Sequence, residues 1–250
     1  MTAPITAAIL VIGDEILSGR TKDKNIGTIA DYCTAVGIDL REVRIVPDEQ
    51  DRIVAAVNAL RTAHTYLFTT GGIGPTHDDI TVDAIAEALG VAVEHHPRAM
   101  AILERYYATR GGLSEARARM ARTPAGAELI DNKVSGAPGI RIGNIFIMAG
   151  VPHITAGMLD ALTGTLEGGR PVVSRTIGCW VAESEVADLL RDAEKAHEGV
   201  AIGSYPFFRD GRTGANFVVR SADTDLVDRC IADLVRDLEA AGRVVAPDGI

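Results

Sequence analysis

The chain has 250 residues, 34 acidic against 25 basic side chains, a net charge of −9 and a pI near 5.2. That balance excludes nucleic-acid binding through a general basic surface and admits small anionic ligands only where local groups offset the field. Hydrophobic residues make up 47% of the chain, enough for a buried core, but aromatics only 4%, so Ala, Val, Ile and Leu must build most of it. No apolar run approaches the roughly 18 residues of a membrane span. The start Met1-Thr-Ala-Pro-Ile5 carries no charged segment ahead of its apolar strand, so a cytoplasmic chain with no membrane partner is expected. Cys33, Cys179 and Cys230 are far apart and odd in number, with no Cys-x-x-Cys pair, and are expected as buried thiols.

Ile5 to Ile12 is a near-continuous apolar run, the mark of a central parallel strand covered on both faces. It ends at Gly13-Asp14-Glu15, at the carboxyl end where open α/β sheets bind ligands. A polar loop from Ile16 to Asn25 follows, in which Arg20, Lys22 and Lys24 are either phosphate ligands or solvated cations. A helix is then expected with Ile26, Ile29, Ala30 and Cys33 on one face. Ile38 to Val46 predicts a second strand, and Pro47-Asp48-Glu49 opens a helix carrying Ile53, Val54, Val57 and Leu60. Read alone, Asp48 is an N-cap; in a parallel sheet it shares a rim with Asp14 and Asp79.

Tyr66 to Thr69 reads as a buried third strand running into Gly71, Gly72 and Gly74, then an acidic segment and a helix with Ile80, Ala84, Ile85, Ala88 and Leu89 on one side. Glycines between a strand and a helix expose backbone N–H groups where the helix dipole favours anions, a phosphate cradle. The loop is neither a Gly-Lys-Ser/Thr phosphate loop nor a Gly-x-Gly-x-x-Gly turn. Asp78 and Asp79 sit where a phosphate would arrive, a repulsion that a divalent cation reverses; Mg²⁺ is commonly held by one or two carboxylates plus phosphate oxygens. The competing reading has Asp78, Asp79 or Thr81 capping the helix and Asp83 complementing its dipole.

Further along, Val91 to Glu94 predicts a short strand, His95-His96 a loop, and a helix carries Met100, Leu103, Tyr106 and Tyr107. Ser114 to Arg122 reads as a basic helix, with Arg117, Arg119 and Arg122 set for a surface or an anion. Short strands are expected at Glu128 to Ile130, Gly139 to Ile142 and Asn144 to Met148, and Ala149-Gly-Val-Pro-His153 turns into a last helix. Thr163 to Pro171, with three glycines, is the linker. Beyond it a strand, helix, strand, turn (Arg209 to Gly214), strand, helix, strand order predicts a small two-layer module, with Ser204-Tyr-Pro-Phe-Phe208 available to plug into the larger domain.

Four stretches together resemble a known family: Gly13-Asp-Glu-Ile-Leu-x-Gly19 with Asn25, Val46-Pro-Asp-Glu49, Thr69-Thr-Gly-Gly-Ile-Gly-Pro-Thr-His-Asp-Asp-Ile-Thr81, and Gly150-Val-Pro152. They are similar to the MoaB/MogA-type molybdopterin-binding domain, above all its CinA branch and the related domain of eukaryotic FAD synthase. The resemblance implies a three-layer, mostly parallel α/β domain over residues 1–165 and a small KH-like α+β module over residues 170–250. It implies a nucleotide or pterin ligand held by Ser18, Asn25, Thr70, Gly71, Gly72, Gly74, Thr81, Gly150 and Pro152, with Asp48 and Asp79 catalytic. Asp79, Asp78 and Asp14 are the implied ligands of a divalent metal such as Mg²⁺. In the CinA and FAD-synthase branch it further implies metal-dependent hydrolysis of a nucleotide pyrophosphate such as ADP-ribose or FAD. The alternatives are molybdopterin binding or adenylylation, and a non-catalytic scaffold. A homo-oligomer is implied as well. The chain departs from the family at Ala149, where proline is usual, and at His153-Ile154, where Ser-Glu is usual.

Overall fold

The apolar run near the amino terminus forms the central strand β1 (Thr6–Ile12) of a computed structural model that describes residues 4–250. Its side chains alternate between two cores. Ala7, Ile9 and Val11 join one, and Ala8, Leu10 and Ile12 the other, so no position from Ala7 to Ile12 faces water. The chain divides into two compact units at Gly169 and Arg170. Among the described residues no helix is long and apolar enough to cross a membrane.

In the first unit β1 is followed by α1 (Asp14–Leu17), α2 (Asn25–Val36), β2 (Asp39–Val46), α3 (Gln50–Ala63) and β3 (Tyr66–Thr70). Next come α4 (Thr81–Leu89), β4 (Val93–His95), α5 (Pro97–Tyr107), α6 (Glu115–Ala118), β5 (Arg122–Pro124), β6 (Glu128–Ile130), β7 (Gly139–Ile142), β8 (Ile145–Met148) and α7 (Pro152–Leu162). The six-stranded sheet has the order β2-β1-β3-β8-β7-β6; β2, β1, β3 and β8 pair in parallel, and β7 pairs antiparallel with both β8 and β6. One face carries the core of Ile29, Cys33, Phe68, Phe146 and Met158, under α2 and α7. The other carries Ile53, Leu60, Leu67, Ile85 and Ile147, under α3 and α4. This is the expected three-layer fold, and the parallel strands end together on one rim. Few as they are, four aromatics gather in it: the Phe68 and Phe146 rings lie 5.2 Å apart, with Tyr66 and Tyr32 edge-on or tilted to them. Burial pushes the Cys33 thiol up to about 12, and all three cysteines are buried and free.

Several local expectations give way to tertiary context. Glu49, not Asp48, is the cap residue of α3, and it makes no side-chain cap bond. The loop after β1 opens with the helical turn α1. His95 ends strand β4 and His96 leads α5, because β4 pairs antiparallel with β5 and places His95 beside Arg122. The same pairing breaks the expected basic helix. It ends at Ala118, passes through a 3₁₀ turn at Arg119–Ala121, and becomes strand at Arg122. The linker is ordered through Gly169: the Tyr66 hydroxyl donates to the Glu167 carbonyl (3.2 Å) and accepts from its N–H (3.0 Å), and the Gly169 N–H donates to the Gly37 carbonyl.

The second unit comprises β9 (Val173–Cys179), α8 (Ala187–Ala196), β10 (Ala201–Arg209), β11 (Arg212–Ser221), α9 (Thr224–Ala240) and β12 (Val245–Ala246). It is the expected β-α-β-β-α-β order, folded as an antiparallel sheet β10-β11-β9-β12 whose buried face (Ile177, Phe217, Val219) meets Leu190, Leu234 and Leu238 of the helices. The hairpin turn is tighter than expected. Only Asp210 and Gly211 lie between the strands, both at positive φ (53° and 73°), as a type I′ turn requires. Ser204 to Phe208 is the middle of edge strand β10, paired residue for residue with β11.

Candidate functional site

Three strand ends build the rim. β1 delivers Asp14 and Glu15, β2 delivers Asp48, and β3 delivers the glycine turn. Asp14 and Asp48 face one another across adjacent parallel strands. The Asp14 N–H donates to Asp48 Oδ2 (2.9 Å) and the Asp48 N–H to Asp14 Oδ1 (3.4 Å). Each carboxylate thus spends one oxygen on its neighbour's backbone and keeps the other without a donor among the described residues. Burial pushes the Asp48 carboxyl above the usual carboxylate range, and the negative fields of Asp14, Glu15 and Asp78 add to the rise against the lowering effect of the Asp14 N–H.

The turn after β3 depends on missing side chains. Gly71 (φ 99°) lies against the Ile12 carbonyl, where a Cβ would strike its oxygen, and Gly72 (φ 66°) lies against the Thr81 hydroxyl. Thr81, fully buried, donates from Oγ1 to the Gly71 carbonyl (2.9 Å), and its N–H to the Gly72 carbonyl (3.1 Å). It braces the turn from behind, with its hydroxyl committed to the backbone. The Gly71 N–H is likewise committed, extending the β3–β8 ladder to the Met148 carbonyl (3.2 Å). The N–H groups of Gly72, Ile73 and Gly74 donate to no protein acceptor among the described residues, so the free amides of the turn begin one residue later than the sequence suggests.

Asp79 does not join the Asp14–Asp48 pair. Its Oδ2 accepts the Thr76 N–H (2.7 Å) and the Thr76 hydroxyl, closing the loop on itself over Gly74. Asp78 is exposed, 3.9 Å from His77 Nδ1, and reaches Asp48 only through its field. Among the described residues no group of three or more His, Cys, Asp or Glu gathers to hold a metal ion. Asp14, Asp78 and Asp79 are therefore not gathered in one cluster: Oδ2 of Asp79 is held by Thr76, while its Oδ1 takes no donor among the described residues. Nor do Asp78, Asp79 or Thr81 cap α4, whose first residues receive no side-chain cap bond.

Two cavities border the turn. One, open to solvent, is lined by Glu15, Thr21, Lys22, Lys24, Asn25, Thr70, Gly71, Gly150 and Pro152 among others. It gathers the expected Asn25, Thr70, Gly71, Gly150 and Pro152. The two loops touch here: a Cβ on Gly150 would lie 3.4 Å from Gly71 Cα, and Asn25 Nδ2 donates to the Gly150 carbonyl (2.8 Å). Neither Lys22 nor Lys24 has an ion-pair partner among the described residues. Ser18 is exposed at the end of α1, outside this lining. The second cavity, with room for little more than a water, is lined by Gly74, Asp79, Val82, Arg119, Arg122 and Ile140 among others. Its arginines differ. Arg122 is committed to the carboxylate of Asp83, whereas Arg119 makes no ion pair among the described residues and its buried Nε has no partner. Arg117 turns away, donating to the Gly112 carbonyl (2.6 Å) with its guanidinium over the Tyr107 ring. Thr21 enters the site with only its chain proximity to Asn25 to announce it, whereas Glu15, from the acidic end of β1, and Arg119, one of the three arginines expected at a surface or an anion, both fall in cavity walls.

Parallel strands that end together on one rim, with acids and a glycine turn at their carboxyl ends, define an α/β domain of the kind that takes a small-molecule ligand at that rim. Residues 8–168 match the family model described as "Probable molybdopterin binding domain", and the chain belongs to that family. Residues 171–246 match the FAD synthase middle domain. A protein of Aeropyrum pernix is 34% identical over 211 residues, covering 80% of this chain and 78% of that relative. A CinA-like protein of Citrifermentans bemidjiense is 38% identical over 197 residues, covering 74% of this chain and 47% of the relative, so the chain spans about half the length of such CinA-like relatives. The crystal structure of a CinA protein with unknown function from Thermoplasma acidophilum superposes with a TM-score of 0.59 at 31% identity, over 64% of this chain and 96% of that one. The likeness read from the four motifs thus extends to the MoaB/MogA-type domain and its CinA-like branch.

Proposed function

We propose that this chain is a metal-dependent hydrolase that cleaves the pyrophosphate of a nucleotide such as ADP-ribose or FAD. The observation that carries the reading is the pairing of Asp14 with Asp48 on the rim that also holds the unspent amides of Gly72, Ile73 and Gly74, with a cavity on either side of the turn. A phosphate anhydride needs that arrangement: an oxyanion cradle beside a cation-bearing cavity that can take one of the groups it carries.

The donor set fits a hard divalent cation. Asp14 keeps one carboxylate oxygen uncommitted, and one or two carboxylates plus phosphate oxygens are a usual Mg²⁺ environment, which leaves the free oxygen of Asp48 for proton transfer. When bound there, Mg²⁺ supplies charge neutralisation at the phosphate oxygens and acidifies water. The chain's own residues do the rest. The loop amides hold the phosphate oxygens, Lys22 and Lys24 offset the charge of the ligand, and Asp48, with its raised proton affinity, accepts the proton of the attacking water. Water adds to one phosphorus, the P–O–P bond breaks, and the departing phosphate takes the electron pair. Asp79 acts by holding the loop in shape through Thr76. We take the active form to be a cytoplasmic homo-oligomer, which sedimentation of the purified protein checks.

A second reading, molybdopterin binding or adenylylation, is favoured by the family description matched by residues 8–168. Incubation with Mg²⁺ and ADP-ribose or FAD, followed by chromatography, separates the two. Release of AMP is the expected result. No AMP, with retention of molybdopterin through gel filtration, would replace hydrolysis by the second reading.

A further inference from the structure

The larger cavity contains two buried oxygens that the fold leaves unused. Asn25, 3% exposed, donates its Nδ2 to the Gly150 carbonyl, and that bond fixes the amide, since a flip would set two oxygens against each other. Asn25 Oδ1 is therefore an acceptor, and it is buried without a donor. Thr70, 1% exposed at the end of β3, has its Oγ1 buried and unpartnered as well. Buried oxygens are nearly always hydrogen-bonded, so two orphans in one cavity wall mark a place prepared for something that brings donors.

The chemistry limits what that is. A phosphate anhydride presents acceptor oxygens to its surroundings at neutral pH and offers nothing to Asn25 Oδ1; an amide carbonyl repels it. A hydroxyl supplies the missing hydrogen. We infer that the cavity beside α2 takes the hydroxyl-bearing ribose of the nucleotide, with sugar O–H groups donating to Asn25 Oδ1 and Thr70 Oγ1, while the phosphates lie outward on the loop amides and Lys22. This rests on the nucleotide reading above and changes the expected role of Asn25 and Thr70 from phosphate ligands to sugar ligands.

Calorimetric titration of the wild-type chain with ADP and with 2′,3′-dideoxy-ADP, both with Mg²⁺, tests it. A site built around a hydroxyl rejects the analogue that lacks it, so ADP is expected to bind roughly tenfold or more tightly. Asn25→Leu and Thr70→Val should each shrink that ratio by weakening ADP and leaving the dideoxy compound little changed. Equal affinities in the wild type overturn the ribose assignment and leave the nucleotide reading standing. Failure of both nucleotides to bind overturns the nucleotide reading and the assignment with it. If Asn25→Leu weakens both ligands alike, its bond to Gly150 is merely structural and its assignment fails; Thr70→Val, which leaves that bond intact, tests the cavity by itself.

Discussion

The two units treat their buried polar groups differently. In the second, the interior is largely closed. Asn216 donates to the Ile250 carbonyl (3.2 Å) and accepts its N–H (2.8 Å), Ser221 donates to the Gly199 carbonyl (2.8 Å), and His197 contacts both Asp233 and the Ala193 carbonyl. Ser204 Oγ and Arg243 Nε are the exceptions. In the first unit the orphans are more numerous: Asn25 Oδ1, Thr70 Oγ1 and Arg119 Nε lie in the walls of the two cavities beside the glycine turn, whereas Tyr32 Oη, His64 Nδ1, Thr69 Oγ1, His96 Nδ1 and Thr123 Oγ1 lie outside those linings. An antiparallel sheet with helices on one face has no common strand end at which to collect such groups. A parallel sheet does, and three of the unmet hydrogen bonds lie there, where a ligand would meet them.

Several measurements break or sharpen this contrast. The largest stability effects should come from the separate cores. Phe68→Ala and Phe217→Ala each remove a ring with no exposure, at a cost of about 3–5 kcal/mol. Because the rings belong to separate hydrophobic clusters, calorimetry should show each variant lowering mainly one transition; equal damage to both would mean that the units unfold as one. A smaller effect is expected at the brace of the turn. Thr81→Val strands the Gly71 carbonyl and should cost about 1–3 kcal/mol in denaturant unfolding, with weakened ligand binding. Binding unchanged at that cost would separate the turn's stability from its function.

Smaller still is the pH effect of Asp48. Its proton affinity is raised in the folded chain, so the native state holds the proton more tightly than the unfolded one. Stability therefore falls as pH rises from the ordinary carboxylate value through the raised one, and the deficit persists above it. Without metal, Asp48→Asn should melt above the wild type at neutral pH and lose that advantage in acid. An advantage that does not vary with pH would assign the gain to something other than this carboxylate.

Much of this architecture can be read from the residues. Apolar runs at Ile5, Ile38 and Tyr66 locate the parallel strands, and acids after two of them locate the rim. Pairwise geometry is what the sequence withholds. Asp79 looks like a metal ligand because it follows a glycine turn, yet Thr76, three residues back, offers two donors and captures it locally. Gly71 looks like an anion donor, but a neighbouring strand absent from the local sequence, β8, takes its N–H. Arg119 and Arg122 are alike in the sequence; the β4–β5 pairing separates them, delivering one to Asp83 and leaving the other in a cavity. Asn25 is visible as a motif position, whereas its acceptor character follows only from the Gly150 carbonyl, 125 residues away along the chain.

The central claim is that Asp14 and Asp48 form the reacting centre beside an oxyanion loop. The most direct test is Mg²⁺-dependent release of AMP from ADP-ribose by the wild type and by Asp48→Asn, each shown to be folded by circular dichroism. The variant should bind the nucleotide and lose about 10²–10⁴-fold in turnover. Wild-type turnover in Asp48→Asn would contradict the account.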